Sequence, residues 1–408
     1  MTVAVSPPPS TGSPVPASTD VAMRAIVSEL SKDFFERGEA IRAIVVAMLA
    51  GQHSFLLGPP GTGKSQLCRA LTERITGARR WEIQLSKFTS PTKMFGPVDV
   101  AALTQGQYRQ VFDGRATTAH IAFVDEIFKC GVGALNETLA WLNERRYYPE
   151  AGGDPITCPL ISAVTASNEL PDGEETAAIW DRLSVRIELG YLAEESNFLD
   201  LLKTDTSVNT PATTVELGAL QHAVASEVPA VRIPDGILST IATLRATLRA
   251  EGVVVSDRRW KQSVALLRAS AWLAGRADVD DTDLAILAHV LWSTLTERPK
   301  VADQVLKLVN PDERAALTAE EAIAAIARDY DQQKQSLPPD QLYLWVIKEG
   351  NQKLNTLKDT LADVRARAIA AGRSTATIDR VASVRDELHG RMTSDLLNAG
   401  TSSGGGQP

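Results

Sequence analysis

The sequence predicts an α/β fold in which helices flank a parallel sheet, followed by an all-α domain and a helical C-terminal extension. Apolar runs at residues 53–57, 121–124 and 160–166 each lead into polar residues. A continuous apolar run is typical of a central parallel strand that is buried on both faces. From about Ala193 onward the apolar spacing is helical throughout, which predicts the two later parts of the chain.

The first apolar run leads into a glycine-rich loop of the form G-x-x-x-x-G-K-S, followed by a helical pattern in which Leu67, Leu71 and Ile75 share one face. The loop residues are Gly58, Pro59, Pro60, Gly61, Thr62, Gly63, Lys64 and Ser65, and Gln66 follows. Amides of such a loop form an anion nest, and the helix that follows adds positive charge. The alternative is a glycine-rich turn without a ligand, but the complete motif between a strand and a helix predicts binding of a nucleoside triphosphate. Lys64 would contact the β- and γ-phosphates, and the Ser65 hydroxyl would ligate Mg²⁺.

Two acids, Asp125 and Glu126, end the apolar run that begins at Ile121. Ligands of open parallel sheets lie at the carboxyl ends of the strands. Asp125 therefore fits a position that holds Mg²⁺ together with Ser65, and Glu126 fits a base that polarises the attacking water. A charged pair at a strand end can also be a simple solvent-exposed cap, but the phosphate loop upstream favours the catalytic interpretation.

One asparagine and two pairs of arginines have two interpretations each. Asn168 follows the run 160–166 and is either a sensor of the γ-phosphate or an ordinary turn asparagine. Arg182 and Arg186 have the spacing of one helical turn. Either could reach a neighbouring subunit's γ-phosphate as an arginine finger, or could pack its stem on the core and pair with a nearby acid. Arg258 and Arg259 follow a predicted N-cap, Ser256, where a basic pair opposes the helix dipole unless an anion compensates it. That anion is either the nucleotide or a protein acid, Asp257 or a neighbour.

Composition limits the classes of partner. The chain has 408 residues and a net charge of -8, so it has no overall basic character, which makes nucleic acid an unlikely partner. The three cysteines are isolated in sequence, which is typical of a reducing compartment, and no apolar run is long enough to span a membrane. We therefore expect a cytoplasmic protein.

The pattern also predicts domain boundaries. We expect a disordered tail at 1–19, an α/β nucleotide-binding domain at 20–200, a helical lid domain at 201–298, a helical extension at 299–398 and a flexible tail at 399–408. Three lid helices are expected, at 237–248, 260–273 and 281–295.

A series of motifs in order resembles the AAA+ ATPases of the MoxR group, and most closely the RavA subfamily. The segments are GPPGTGKS, FVDEIFKCGVGALNETLAWLNER, AVTASNELP, DRLSVR and VSDRRWKQSVALLRASAWLAGR, and they lie within residues 22–295. The pieces LNER, ASNELP and SDRRWK point to RavA. The sequence departs from RavA-like proteins after residue 300, because they carry a small β-rich module there and this chain is predicted to be helical.

The resemblance implies roles for matching residues. Lys64 and Ser65 would be the Walker A pair, Asp125 and Glu126 the Walker B acids, and Asn168 would be sensor 1. Arg258 would be sensor 2, with Arg259 as second choice, and the finger would be Arg182, with Arg186 as second choice. It also implies ATP and Mg²⁺ as cofactors, a ring that is hexameric in relatives, a protein client and a partner with a von Willebrand factor type A domain. Two other functions stay open: a nucleic-acid motor with the same core, and a nucleotide-controlled scaffold without turnover.

Overall fold

The computed structural model describes residues 18–150, 152–171, 173–203 and 213–402. Most of the two predicted tails, 1–19 and 399–408, lies outside these residues. The chain divides into two compact units, residues 1–298 and 299–408, and each is described by itself.

The first unit is built on a five-stranded parallel sheet with the order β3-β4-β7-β1-β8. The strands of the chain are β1 His53–Leu57, β2 Ile75–Thr76, β3 Arg80–Gln84, β4 Ile121–Asp125, β5 Arg146–Tyr147, β6 Ile156–Thr157, β7 Ser162–Ser167, β8 Leu183–Glu188 and β9 Val215–Glu216. All of β1 and β7 is buried, because each lies between two other strands and under helices. This arrangement brings the carboxyl ends of β4, β7 and β1 to one edge of the sheet.

Helices cover the sheet and continue beyond it. In the first unit they are α1 Thr19–Asp33, α2 Gly38–Leu49, α3 Lys64–Glu73, α4 Pro91–Phe95, α5 Val100–Thr104, α6 Val132–Glu144, α7 Glu174–Trp180, α8 Glu195–Lys203, α9 Leu217–His222, α10 Val228–Ala230, α11 Asp235–Ala250 and α12 Asp257–Leu273. Short 3₁₀ turns lie at Ala116–Thr118 and Ile127–Lys129, a longer 3₁₀ helix at Asp281–His289, and a π-helical turn at Ala223–Glu227. Helix α2 is almost wholly apolar and packs on β1, β7 and β8, which explains its burial.

The second unit contains only helices among its described residues. They are α13 Arg298–Val309, which begins at the unit boundary, α14 Pro311–Ser336, α15 Pro339–Trp345, α16 Asn351–Ala370 and α17 Ala376–Ser402, with a π-helical turn at Val346–Gly350 between α15 and α16. Helices α14, α16 and α17 pack on one another around a core that includes Ile323, Leu361 and Met392. Asp312 is buried at the start of α14 and is paired there with Arg367 and Arg373.

The predicted fold class is confirmed, with several local corrections. Arg182 and Arg186 do not share a helix face, because α7 ends at Trp180 and Arg186 lies within strand β8. Ile75 leaves the α3 helix and forms β2, which pairs with β9 in a region predicted to be helical. The third lid helix is a 3₁₀ helix that ends at His289. No helix in the described ranges combines the length and the apolar character that crossing a bilayer requires.

Candidate active site

The glycine-rich loop connects the end of β1 to the start of α3. Gly61 and Gly63 have φ angles of 82° and 80°, and Gly63 is the residue before the first helical residue, Lys64. These left-handed conformations suit glycine and turn the loop back toward the helix N-terminus. Gly58 is required for a different reason, since a Cβ atom there would lie 2.3 Å from the carbonyl oxygen of Leu189. The loop therefore has the glycines that its backbone path needs and can form an anion nest.

Lys64 lies folded against the loop that carries it. Its Nζ donates to the carbonyl oxygens of Gly58, at 2.6 Å, and Pro59, at 3.0 Å. Partial burial lowers the pKa of Lys64, and the nearby carboxylates of Asp125 and Glu126 oppose that shift. The lysine and the two acids predicted from separate motifs therefore lie within electrostatic reach of one another. An ammonium group that is bound only to neutral carbonyls can exchange them for a phosphate oxygen.

The other loop residues surround this lysine. The Thr62 hydroxyl donates to the Pro59 carbonyl at 3.0 Å, which holds the loop closed on itself. The Pro60 carbonyl accepts from the Tyr191 hydroxyl at 3.4 Å, and Gln66 is exposed. Ser65 is half-buried in the first turn of α3, where a hydroxyl can reach a ligand bound by the loop.

Asp125 is the last residue of strand β4, and Glu126 follows it in a different conformation. Asp125 is half-buried, and its Oδ1 accepts the backbone N–H of Glu126 at 3.0 Å. Burial raises the pKa of Asp125, and the Glu126 charge adds to that rise while Lys64 opposes it. Glu126 has φ 55° and ψ 45°, which is uncommon for a residue with a side chain and occurs at functional sites. The turn directs the chain into the short 3₁₀ segment that follows.

Two residues that the sequence analysis missed hold the Glu126 side chain. Its Oε2 lies 3.2 Å from the ammonium of Lys129, which is also 3.6 Å from Glu169. The Ser167 hydroxyl donates to the same Oε2 at 3.5 Å and accepts the backbone N–H of Glu169. Lys129 lies three residues after Glu126, and this spacing was the available signal for the contact.

Asn168 follows the buried end of β7 and is exposed. The preceding residue, Ser167, accepts the backbone N–H of Gly58 through its carbonyl oxygen at 3.2 Å. Asn168 is therefore attached to a residue that contacts both the glycine-rich loop and Glu126. The strand order, with β7 between β4 and β1, explains why these three segments meet.

The two finger candidates lie in unlike surroundings. Arg186 is 0% exposed, and its guanidinium donates to the carbonyls of Leu183, Trp180 and Trp292 and lies 3.7 Å from the centre of the Trp180 ring. Arg182 is only half-buried and donates to the Ala178 carbonyl at 2.6 Å. Burial lowers the pKa of Arg182, and the charge of the nearby Arg258 lowers it further.

The two basic residues at the start of α12 also differ. Ser256 is the N-cap, as predicted, and its hydroxyl accepts the backbone N–H of Arg259. Arg259 is 4% exposed and donates to Ser293 at 2.9 Å, whereas Arg258 is exposed. Both approach the carboxylate of Asp181, at 3.5 and 3.3 Å, so an acid at the end of α7 compensates part of their charge.

The residues present fit ATP and Mg²⁺. The loop amides and Lys64 suit a triphosphate, while Ser65 and Asp125 offer the oxygen ligands that Mg²⁺ prefers. Within the described residues, no three His, Cys, Asp or Glu side chains gather as a metal site. Mg²⁺ usually binds through one or two protein ligands together with phosphate oxygens, and Ser65 and Asp125 suit this mode of binding.

Known protein families and several known proteins are similar to this chain. Residues 21–225 match a family model described as the MoxR domain in MoxR-vWA-beta-propeller ternary systems, and residues 236–305 match an AAA lid domain. Two uncharacterised proteins of Methanocaldococcus jannaschii are similar along most of their length. One is 32% identical over 358 residues, covering 86% of this chain and 93% of the relative, and the other is 31% identical over 373 residues, covering 90% and 96%.

A solved structure supports the fold. The crystal structure of a candidate ATPase from Cytophaga hutchinsonii has a TM-score of 0.56 and 16% sequence identity, and the match covers 71% of this chain and 96% of that one. At this identity the likeness shows the fold alone. The family models carry the assignment, and the chain belongs to the MoxR-domain family of AAA ATPases, with an AAA lid domain.

Proposed function

We propose that this MoxR-type ATPase binds ATP with Mg²⁺ at the loop 58–66 and hydrolyses its terminal phosphoanhydride bond. The observation that supports this most directly is the proximity of Lys64, at the start of α3, to Asp125 and Glu126, at the carboxyl end of β4. Loop amides and Lys64 hold the phosphates, and Ser65 and Asp125 hold the metal. Bound Mg²⁺ supplies positive charge that neutralises the phosphate oxygens.

Glu126 is the base in this proposal. Its carboxylate orients a water molecule toward the γ-phosphate and accepts a proton from it, while Lys64 stabilises the charge that develops on the phosphate. Ser167 and Lys129 both contact Oε2 of Glu126 and leave Oε1 for the water. Asn168, next to Ser167, is the sensor of the γ-phosphate.

The family resemblance suggests the assembly, the client and the partner of this ATPase. We propose a ring, with six subunits as in relatives, in which Arg182 of one subunit completes the neighbour's site as an arginine finger. The half-buried position of Arg182 supports it over the fully buried Arg186. The work of the ring is chaperone-like remodelling or maturation of a protein client, as in the RavA subfamily. The matched MoxR domain comes from ternary systems, which supports a von Willebrand factor type A partner.

Substitution of the base tests the ATPase mechanism. The variant Glu126→Gln keeps the size of the side chain but cannot accept the proton, so we expect it to bind ATP while turnover falls by about 10²-fold or more. Phosphate release at saturating ATP and a separate nucleotide-binding titration measure the two quantities.

Glu169→Gln is the matched control for this experiment. It removes a neighbouring carboxylate that also contacts Lys129, but Glu169 is exposed and has no role in the proposed chemistry. We expect its turnover to stay close to that of the unsubstituted chain. If Glu126→Gln released phosphate at an unimpaired rate, Glu126 would not be the base.

A further inference from the structure

Four aromatic side chains form a continuous row between the turn after β4 and the lid, residues 236–305. Phe128, in that turn, lies 5.4 Å from Phe55 of β1 and 6.2 Å from Trp180 of α7, measured between ring centres. Phe55 and Trp180 are 5.1 Å apart, and Trp180 lies 5.9 Å from Trp292 of the lid. Aromatic rings attract each other at about 4.5–7 Å. We call these four residues the aromatic row.

The aromatic row ends at the turn that carries the proposed base. Glu126 is left-handed there, which is a costly conformation for a residue with a side chain. The 3₁₀ turn Ile127–Lys129 follows, and the backbone N–H of Lys129 donates to the Glu126 carbonyl at 2.9 Å. A 3₁₀ turn of three residues has few hydrogen bonds of its own, so its conformation depends on the packing of its side chains. Ile127 is fully buried and Phe128 is half-buried, and these two side chains anchor the turn.

Phe128 lies between the base and the lysine that holds it. It is two residues after Glu126 and one residue before Lys129, whose ammonium lies 3.2 Å from Oε2 of Glu126. A displaced Phe128 ring would move the backbone of the turn, and with it both the carboxylate and its ammonium partner. A general base must lie within hydrogen-bond reach of the water that it orients, so such a shift would slow the reaction.

The other end of the aromatic row is fixed to the lid. The indole N–H of Trp180 donates to the Ser293 carbonyl at 3.1 Å, and the guanidinium of Arg186 lies 3.7 Å from the centre of the Trp180 ring. Trp292 is 0% exposed, and among the described residues its indole N–H has no acceptor. A buried donor without an acceptor is costly. Hydrogen bonding therefore does not explain a tryptophan at position 292, whereas packing of its large ring against Trp180 does.

We propose that Phe128 is a positioning residue for Glu126, and that Trp180 and Trp292 hold the Phe128 ring in place. This rests on the ATPase function proposed above. Packing of the lid segment around Trp292 against α7 thereby affects the orientation of the base. The loop 58–66, which holds the phosphates in the proposed mechanism, lies outside the aromatic row. The aromatic row therefore affects turnover and leaves the affinity for nucleotide unchanged.

The variant Phe128→Leu tests the role of Phe128, because it keeps an apolar side chain and removes the ring. We expect kcat for phosphate release to fall by about tenfold, since small displacements of a catalytic group are costly. The Kd for Mg²⁺ and AMP-PNP, a slowly hydrolysed ATP analogue, should stay close to that of the unsubstituted chain. Phe128→Tyr retains the ring and should keep most of the turnover. An unchanged kcat in Phe128→Leu, or a Kd that rises as much as kcat falls, overturns the proposal.

Phe112→Leu is the matched control, because it makes the same substitution in another pair of rings. Phe112 is half-buried, like Phe128, and its ring centre lies 6.0 Å from that of Tyr147. We expect its melting temperature to fall while its kcat stays unchanged. If Phe112→Leu lowered kcat as much as Phe128→Leu, a general loss of stability would explain both results, and the specific role of Phe128 would be overturned. An unsubstituted chain that releases no phosphate would instead contradict the proposed ATPase function.

A double-mutant cycle tests the link to the lid. Trp292→Phe makes the ring smaller without removing a hydrogen bond, so we expect it to fold, to lower kcat several-fold and to leave the Kd for AMP-PNP unchanged. Because Trp292 acts through Phe128 in the proposal, Trp292→Phe should have little further effect in a chain that carries Phe128→Leu. Effects on kcat that multiply in the double variant, or an unchanged kcat in Trp292→Phe, would overturn the link between the lid and the base.

Discussion

At the scale of single residues, Arg182 and Arg186 differ in what their guanidinium groups contact. Arg186 donates to three main-chain carbonyls and lies against the Trp180 ring, so each side of its head group is covered. Arg182 donates to the carbonyl of Ala178, one helical turn before it. The first arrangement stabilises the junction of β8 with the lid, and the second leaves the arginine available to a ligand.

This difference predicts that substitution of Arg186 lowers the free energy of unfolding much more than substitution of Arg182. Arg186→Ala removes the guanidinium donors to the Trp180 and Leu183 carbonyls and one of two donors to the Trp292 carbonyl, and it opens a space beneath Trp180. We therefore expect the free energy of unfolding to fall by about 3–5 kcal/mol. Arg182→Ala should change it by less than about 1 kcal/mol. Urea unfolding followed by circular dichroism measures both. Equal losses in the two variants would contradict the contrast.

At the scale of elements, β1 depends on a buried histidine at its first position. His53 Nδ1 accepts the backbone N–H of Ala163 at 2.9 Å, and Nε2 lies 2.7 Å from the Leu142 carbonyl. Arg145 lies 2.8 Å from the same nitrogen. Burial, with a smaller effect of the Arg145 charge, lowers the pKa of His53 well below its usual value of 6.5. The folded chain therefore keeps this imidazole neutral.

Stability should consequently fall in acid. Below pH 6.5 the unfolded chain takes up a proton at residue 53 that the folded chain does not, so His53 reduces the free energy of unfolding by up to about 1.4 kcal/mol per pH unit until the folded pKa is reached. Urea unfolding at pH 7.5, 6.5 and 5.5 measures the slope. His53→Gln should be less stable at neutral pH but should show a smaller loss toward acid.

His222→Gln is the control, because His222 is exposed and no strand depends on it. Its pH slope should match that of the unsubstituted chain. If His53→Gln lost stability toward acid as steeply as His222→Gln, another group would be responsible for the slope.

The sequence predicted the strands that carry continuous apolar runs and missed β8, which does not carry one. Strands β1, β4 and β7 are buried on both faces, and their runs were visible together with the polar residues that follow them. Strand β8 contains Ser184 and Arg186 between apolar residues, and the four-residue spacing of Arg182 and Arg186 suggested a helix. Segment 183–188 forms a strand because it pairs with β1. This pairing joins distant segments, so the local sequence pattern does not reveal it.

The candidate site was predictable where a motif fixes the residue types. Lys64, Asp125 and Glu126 belong to such motifs, and the structure brings them together. Ser167 was missed, because its importance depends on contacts between segments that are distant in sequence, and Lys129 was missed although its three-residue spacing from Glu126 was visible. Ser167 is an ordinary strand residue by its pattern, and only the order of the strands places it between Gly58 and Glu126.

At the scale of the whole molecule, the two compact units have different bases for their stability. The first is organised around the five-stranded sheet, and the second around apolar side chains of three long helices. The matched MoxR and lid models end at residue 305, so most of the second unit lies beyond them. Its helical character separates this chain from the β-rich extension expected of RavA-like proteins.

The proposed ring predicts complementation between two inactive variants. A subunit with Glu126→Gln lacks the base but retains Arg182, and a subunit with Arg182→Ala lacks the finger but retains Glu126. If the finger acts on the neighbouring subunit, each pure ring is impaired, whereas a mixed ring contains interfaces that combine an intact base with an intact finger. We therefore expect phosphate release by an equal mixture to exceed the mean of the two pure samples several-fold.

Complementation requires that the two variants enter the same ring, so the mixture is assembled from dissociated chains. As a control, Arg186→Ala replaces Arg182→Ala in a parallel mixture. Glu126→Gln contributes no base of its own, so any gain must come from sites whose base lies in the other variant. A mixture that shows only the mean of its components at every ratio would place Arg182 outside the neighbour's site. Activity that remains high in pure Arg182→Ala would contradict its role as the finger. If phosphate release recovers only in the mixture that contains Arg182→Ala, then Arg182, and not Arg186, acts between subunits.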